Sequence, residues 1–259
     1  MKKVLSIAGS DPSGGAGIQA DIKTITAHKL YAMAVIVSLT AQNTREVSGI
    51  LGCSSEFVKA QLDAVLSDIT PDSIKLGMLL NADIMRSVAK SLKEYDCKNI
   101  VLDPVMVATS GARLMDESAL NLYIEELIGM ARIVTPNLPE ASILSGIEIK
   151  NMDDMRLAAM KIKGYGCDSV LIKGGHAIGD ATDLLYKDGK FSEFKADRID
   201  TKNTHGTGCT LSSAIACNIA NGLSIEESVK NAKDYVTNAL KSNLSIGHGN
   251  GPINHCWNL

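Results

Sequence analysis

The sequence predicts an α/β fold: a mostly parallel central sheet with helices on both faces and a small β-hairpin. Three observations carry this expectation. Short, near-continuous apolar runs recur along the chain, as strands covered on both faces require. Helical patterns lie between those runs, and alternating β and α elements build doubly wound parallel sheets. One Asp-Gly pair sits between two alternating segments, which is the signature of a tight hairpin turn.

The elements follow in chain order. The run at 4–8 reads as a first buried strand. Only five apolar residues precede Gly9, so "MKKVLSIAGSDPSGG" is too short in its apolar part for an export signal. Strands are expected at 33–37, 73–76, 100–103, 133–135 and 169–172. Between the second and third, Val58, Leu62, Val65 and Ile69 fall at i, i+4, i+7 and i+11, one apolar stripe on a helix. Lys187-Asp188-Gly189-Lys190 turns the hairpin, which is placed at an antiparallel edge of the sheet. No internal repeat, low-complexity tract or Pro/Ser-rich linker interrupts the chain, so 1–259 reads as one domain.

Composition narrows the function. The chain has 259 residues, 45% of them hydrophobic, enough for a large core. Net charge is -3 and no Lys/Arg-rich run stands out, which argues against a nucleic-acid partner. No stretch approaches the ~18 apolar residues of a membrane span. Six cysteines, at 53, 97, 167, 209, 217 and 256, include no C-x-x-C pair and no zinc spacing. Reduced, mostly buried thiols in the cytosol are the expectation.

In open α/β sheets ligands bind beyond the carboxyl ends of the strands. The segments there are polar and Gly-rich: "GSDPSGGAG", "SLTAQNT", "KLGML", "LDPVM", "VTPNLPE" and "IKGGH". The first is not a P-loop, because Gly15 and Ala16 stand where Lys and Ser/Thr belong. It is not a dinucleotide fingerprint either, since the second strand ends without an acid. It is a turn that lets backbone approach a ligand, or simply a tight turn. Gln42 offers an acceptor and donors that suit the edge of a nitrogen heterocycle, or it is a loop glutamine in water. Asp103 and the Asn137–Glu140 corner supply the oxygen ligands Mg²⁺ prefers, although Asn137-Leu-Pro-Glu140 also reads as a helix start. Lys173, just past an apolar strand, can meet a nucleotide phosphate as a point charge or reach solvent.

"THGTGCTLSSAIA" opens a helix on bare backbone. The first N–H groups have no internal partners and the dipole is positive there, which is the physical recipe for a phosphate site; the alternative is a helix start and nothing more. The same field predicts a lowered pKa for Cys209. Cys209 then serves as the base that takes a proton from a substrate hydroxyl, the favoured reading, or contributes only its backbone N–H.

Taken together, "AGSDPSGGAGIQADIK" at 8–23, "TAQNT" at 40–44, "KLGML" at 75–79, "LDPVM" at 102–106, "TPNLPE" at 135–140, "IKGGH" at 172–176 and "KNTHGTGCT" at 202–210 resemble the hydroxymethylpyrimidine/phosphomethylpyrimidine kinases of thiamin biosynthesis. The resemblance runs in order along nearly the whole chain. It implies a ribokinase-like three-layer fold and a cytoplasmic enzyme that uses ATP and Mg²⁺. The implied substrates are 4-amino-5-hydroxymethyl-2-methylpyrimidine and then its monophosphate. It implies that Gln42 pairs with the pyrimidine edge, that Met78 and Val105 touch the ring, and that Asp21 and Ala16 lie in a pocket-forming loop. It implies Gly206, Thr207 and Gly208 as the anion hole and Cys209 as the proposed base. Lys173 and Asn137 would meet the nucleotide, and Glu140 and Asp103 the metal. A homodimer is typical of the family. A pyridoxal or pyridoxine kinase is the nearest rival reading, and a non-catalytic ligand sensor is a rival of another class.

Overall fold

The computed structural model describes residues 1–106, 117–174 and 182–259. Its first half runs β1 (Lys3–Ser10), α1 (Gly17–Ala27), β2 (Tyr31–Gln42), β3 (Val47–Gly52), α2 (Ser55–Leu66), β4 (Ser73–Leu76), α3 (Ala82–Glu94) and β5 (Ile100–Leu102). Next come α4 (Glu117–Leu122), which widens into a π turn at Tyr123–Leu127 and ends in a 3-10 turn at Ile128–Met130, β6 (Ala131–Val134), α5 (Leu138–Ser145), α6 (Met152–Lys163) and β7 (Ser169–Ile172). The chain then forms the hairpin β8 (Asp183–Lys187) and β9 (Lys190–Phe194), and ends with α7 (Thr207–Ala220) and α8 (Ile225–Lys241).

The strands form one sheet in the order β3-β2-β1-β4-β5-β6-β7-β8-β9. β2, β1, β4, β5, β6 and β7 are mutually parallel, and β3, β8 and β9 are antiparallel edges. Side chains alternate across the strands as the pleat requires. Leu5, Ile7, Ile100, Leu102, Val134, Val170 and Ile172 face a core shared with α2, α3, α5 and α6. Val4, Val101, Ile133 and Leu171 face the opposite core, against α1, α7 and α8. The result is three layers with the parallel strands buried on both faces.

The expected strands at 73–76 and 169–172 have the observed bounds. The strand expected at 100–103 stops at Leu102, so Asp103 begins the loop. The one expected at 133–135 begins two residues earlier and ends at Val134. β2 runs from Tyr31 to Gln42, well beyond the expected 33–37, because β3 pairs with its distal half. The helical stripe at 58–69 ends its helix at Leu66, and Ile69 packs on the core from the turn beyond. Gly189, with φ +75°, turns the hairpin as the Asp-Gly signal predicts.

Sheet polarity decides where chemistry can sit. β1 lies between β2 and β4, so successive crossovers leave it in opposite directions. The crevice beyond its carboxyl end is the topological switch point where ligands bind in such folds. Asp11, Gln42, Met78, Asp103, Asn137 and Lys173 all stand at or just past the carboxyl ends of parallel strands.

Candidate active site

The loop after β1 and the loop before α7 meet backbone to backbone. A Cβ at Gly206 would overlap the carbonyl oxygen of Gly15, and Gly206 has φ +79°, a region glycine tolerates best. The imidazole of His205 fills the space beside Gly15. His205 Nε2 donates to Asp11 Oδ2 at 2.8 Å, and Gln42 Nε2 lies 3.3 Å from the same nitrogen. Asp11 also accepts from Ser13 N, Ser13 Oγ and Ala16 N. Burial pushes the Asp11 carboxyl up, but the bonds from His205, Ser13 and Ala16 outweigh it and leave Asp11 at about 2. Thus Gln42 stands at the end of β2 within a built network, not loose in water. Met78 and Val105 are both half-buried; the Met78 side chain lies against Gly9, and Val105 N–H caps the Asp103 carbonyl at 2.9 Å.

A second cluster joins β5, β7 and α7. Lys173 Nζ donates to Asp103 Oδ1 at 2.8 Å, and Ser212 Oγ and Thr135 Oγ1 each lie 3.2 Å from that carboxylate. Burial opposes the charge on Asp103, but Lys173 and then Lys75 hold its pKa below the usual carboxylate value. The lysine is not a free cation, because most of its charge is already matched. The pair sits beside bare backbone: a Cβ at Gly208 would lie 3.5 Å from Lys173 Nζ and 3.8 Å from Asp103 Oδ2. Asn137 and Glu140 form a reciprocal capping box on α5, so the helix-start reading of that segment holds. Glu140 is buried, and burial holds its carboxyl up at about 7; Lys173 pulls it down and the charge on Asp103 pushes it further up. Gly175 and His176 of "IKGGH" lie outside the described residues.

Thr207 is tied back onto its own loop. The Thr207 N–H turns back to the Thr204 carbonyl at 3.3 Å, and the Thr207 hydroxyl donates to the same oxygen. Thr210 N–H is already bonded to Gly206 O at 2.9 Å. Among the described residues the Gly208 and Cys209 N–H groups have no backbone acceptor, as the first turn of a helix leaves them.

Two expectations need correction. Asp21 is not in a pocket loop. It lies on α1, fully buried, and its carboxylate receives Lys75 Nζ at 2.8 and 3.0 Å, Ser6 Oγ at 2.5 Å and Ser213 Oγ at 2.7 Å. Ser213 follows Cys209 by one helical turn, so this ion pair lies beneath the thiol on the same face of α7. The second correction concerns Cys209 itself. Its pKa is raised, not lowered: burial is the main cause, with the charges of Asp21 and Asp103 adding to it. Lys75 and the Gly17 N–H pull the other way without prevailing. The helix-start argument is sound for an exposed thiol, but desolvation wins here.

Sequence reasoning did not single out Asp11, His205 or Lys75. Lys75 had a readable signal, a cation inside a short strand buried on both faces, which must be paired. Asp11 and His205 had none, being ordinary polar residues in loops 194 positions apart.

Comparison with known proteins fits this geometry. The family model described as phosphomethylpyrimidine kinase matches residues 11–254. The chain belongs to the phosphomethylpyrimidine kinase family. It is 48% identical over 253 residues to the thiamine biosynthesis bifunctional protein ThiED of Geobacter sulfurreducens, covering 97% of this chain and 52% of that protein. The chain thus spans about half the length of that bifunctional relative. It is 43% identical to the hydroxymethylpyrimidine/phosphomethylpyrimidine kinase of Bacillus subtilis, covering 98% of this chain and 94% of that one. The pyridoxal kinase of Staphylococcus aureus, solved with AMP-PCP and pyridoxal, is 34% identical with a TM-score of 0.90, covering 99% of this chain and 94% of that one. The fold is therefore ribokinase-like.

Proposed function

We propose that residues 1–259 form one kinase unit that phosphorylates 4-amino-5-hydroxymethyl-2-methylpyrimidine with ATP and then phosphorylates the monophosphate. One observation carries this reading. A heterocycle-matching glutamine, two outward N–H donors with a thiol beside them, and a buried lysine-carboxylate corner all stand at one edge of one sheet. Phosphoryl transfer needs little else than such positioning and charge compensation.

In the first step the substrate hydroxyl oxygen attacks the γ-phosphorus, the bond from phosphorus to the ADP oxygen breaks, and the hydroxyl proton passes to Cys209 Sγ. Gln42 orients the ring, with Met78 and Val105 beside it and Ala16 in the facing loop. The N–H groups of Gly208 and Cys209, with Gly206 opening the approach, hold the transferred oxygens. Lys173 meets the departing phosphate and Asn137 stands at its side. The Asp103–Glu140 corner fits Mg²⁺, which is content with one or two carboxylates plus phosphate and water oxygens. Among the described residues no three His, Cys, Asp or Glu side chains cluster as a metal cage, which that ion does not require. A cation beside Glu140 would offset the burial, and the smaller repulsion from Asp103, that hold its carboxyl at about 7. When bound, Mg²⁺ supplies charge neutralisation at the phosphates.

The pyridoxal kinase reading keeps one supporting observation, the likeness to the Staphylococcus aureus enzyme. ADP release by purified protein with Mg-ATP separates the two. Turnover of the pyrimidine alcohol and its monophosphate, with little on pyridoxal or pyridoxine, is the expected result. Turnover of pyridoxal alone would reassign the substrate, and no turnover on any of them would favour a ligand sensor. A homodimer and a cytoplasmic setting belong to the same reading. The ribbon β2–β3 supports the first, exposing Leu39, Val47, Ile50 and Leu51 on an open sheet edge. Six free thiols support the second.

A further inference from the structure

Gln42 touches two groups whose protons are already committed. Thr40 Oγ1 lies 3.0 Å from the Ser10 carbonyl and 3.1 Å from Gln42 Oε1. A hydroxyl has one proton, and the carbonyl takes it, so Thr40 faces Gln42 as an acceptor. On the other side His205 Nε2 lies 2.8 Å from Asp11 Oδ2. Asp11 is ionised and can only accept, so His205 Nε2 carries a proton whatever the charge on the ring. His205 Nε2 therefore has no lone pair to accept an amide N–H, and only an oxygen can face it, sharing the proton that Asp11 holds.

The amide has two settings, related by a half turn about its last torsion. With Nε2 toward His205, two N–H donors confront each other at 3.3 Å and Oε1 competes for a proton already given away. With Oε1 toward His205 and Nε2 toward Thr40, the donor–donor clash is gone and the amide N–H meets a lone pair of the Thr40 hydroxyl. The clamps themselves are firm. The side chains of His205 and Asp11 are 12% and 4% exposed, and the His205 backbone N–H is tied to Gly251 O at 3.1 Å.

We infer that Asp11–His205 and Ser10–Thr40 lock the Gln42 amide with its acceptor toward His205 and its donor toward Thr40, and so select a heterocycle whose amino group faces His205 and whose adjacent ring nitrogen faces Thr40. This rests on the reading that Gln42 meets the pyrimidine. An unclamped amide would rotate to suit either an amino group or a hydroxyl at that ring position. The lock removes that freedom, which makes His205 and Thr40 positioning residues for substrate choice.

The test couples a side-chain change to a ligand change. The ligands are the aminopyrimidine alcohol, its analogue lacking the amino group, and its analogue with CH in place of the ring nitrogen beside that group. In the unaltered protein, loss of the amino group should raise KM roughly tenfold or more, as a site built to pair with a polar group rejects a ligand without it. In His205→Phe that penalty should shrink to about two- or threefold, with KM for ATP unchanged. In Thr40→Val the shrinkage should fall on the CH analogue instead. Thr40→Val also keeps the proposal testable should His205→Phe fail to fold, which a thermal melt would reveal. Equal penalties in variant and unaltered protein would overturn the lock. No turnover of any of the pyrimidines by the unaltered protein would instead remove the substrate reading and the lock with it.

Discussion

Replacing Lys75 by Met should destabilise the protein far more than removing both members of its ion pair. Lys75 Nζ lies 2.8 and 3.0 Å from the two carboxylate oxygens of Asp21, and neither side chain is exposed. Burial works against the lysine's charge, yet Asp21, Cys209 and Asp103 hold its pKa above the ordinary value. Lys75→Met therefore leaves a carboxylate in the core with only the Ser6 and Ser213 hydroxyls as donors. Breaking a buried pair in this way costs about 3–5 kcal/mol. In a chain of this size that is a fall in Tm of roughly 10 °C. The double variant Lys75→Met, Asp21→Leu removes the uncompensated charge, and a buried pair replaced by apolar groups is often near neutral. It should recover most of the loss, less the two serine bonds at about 1 kcal/mol each. Scanning calorimetry of Lys75→Met, Asp21→Leu, the double variant and the parent measures the cycle. Additive losses, or a single variant within about 1 °C of the parent, would refute the argument that charge and not packing dominates this site.

Other outcomes follow from the same structure. Gly206→Ala should fold poorly, because its Cβ meets the Gly15 carbonyl; Gly222→Ala, with a similar φ of +87° but open space around it, should cost only about 1 kcal/mol. Comparable melts for the two would mean that the loop contact is not rigid. His255 is buried, and burial, with Lys23 and His205 nearby, lowers its pKa from 6.5 to about 4. The unfolded chain then binds a proton the folded one resists, so stability is full above pH 6.5 and falls by about 3 kcal/mol as pH drops to 4; urea titrations of His255→Phe should lack that slope. Cys209→Ala should slow phosphorylation of the alcohol by about 10²–10⁴ but that of the monophosphate by no more than about tenfold, since a phosphate monoester is already mostly ionised at neutral pH. Equal losses in the two half-reactions, followed by rapid quench, would remove Cys209 as base.

Legibility in the sequence followed the range of the interaction. "SIKL" and "SVLI" were bounded correctly because burial on both faces leaves a short apolar run with sharp ends. The strand at 33–37 was read too short. Its continuation through Thr40 to Gln42 is half-exposed and is held by pairing with β3, which the local pattern does not display. The glycine-opened helix was visible because its cause is local: a missing Cβ and unpaired N–H groups. The state of its thiol was not, because desolvation depends on α1 and β4 folding over it. Asp21 shows the same limit. Its partner Lys75 is 54 residues away, and nothing near residue 21 distinguishes a pocket carboxylate from a core one.

The raised thiol pKa bears directly on what Cys209 can do. A base must be without its proton before it can take one. With burial raising its pKa, Cys209 carries its proton in all but a small minority of molecules at neutral pH. Two groups are placed to enlarge that fraction, the Gly17 N–H and the Lys75 cation, and both oppose the burial that dominates. Such a base makes the alcohol step climb with pH, close to tenfold per unit until the thiol ionises. The monophosphate brings its own ionised oxygen and has no such proton to lose, so its rate should stay nearly flat over the same range. A purely electrostatic role for the Cys209 backbone N–H moves neither slope, because a backbone amide does not titrate. A loose transition state also asks little of a base until late in the transfer, when the attacking hydroxyl has become strongly acidic. A scarce but strong thiolate suits that demand better than an abundant weak one. If Cys209 is the base, Lys75 is the member of the buried pair that favours its thiolate, while Asp21 opposes it, so the pair tempers the charge on that atom rather than simply stabilising it.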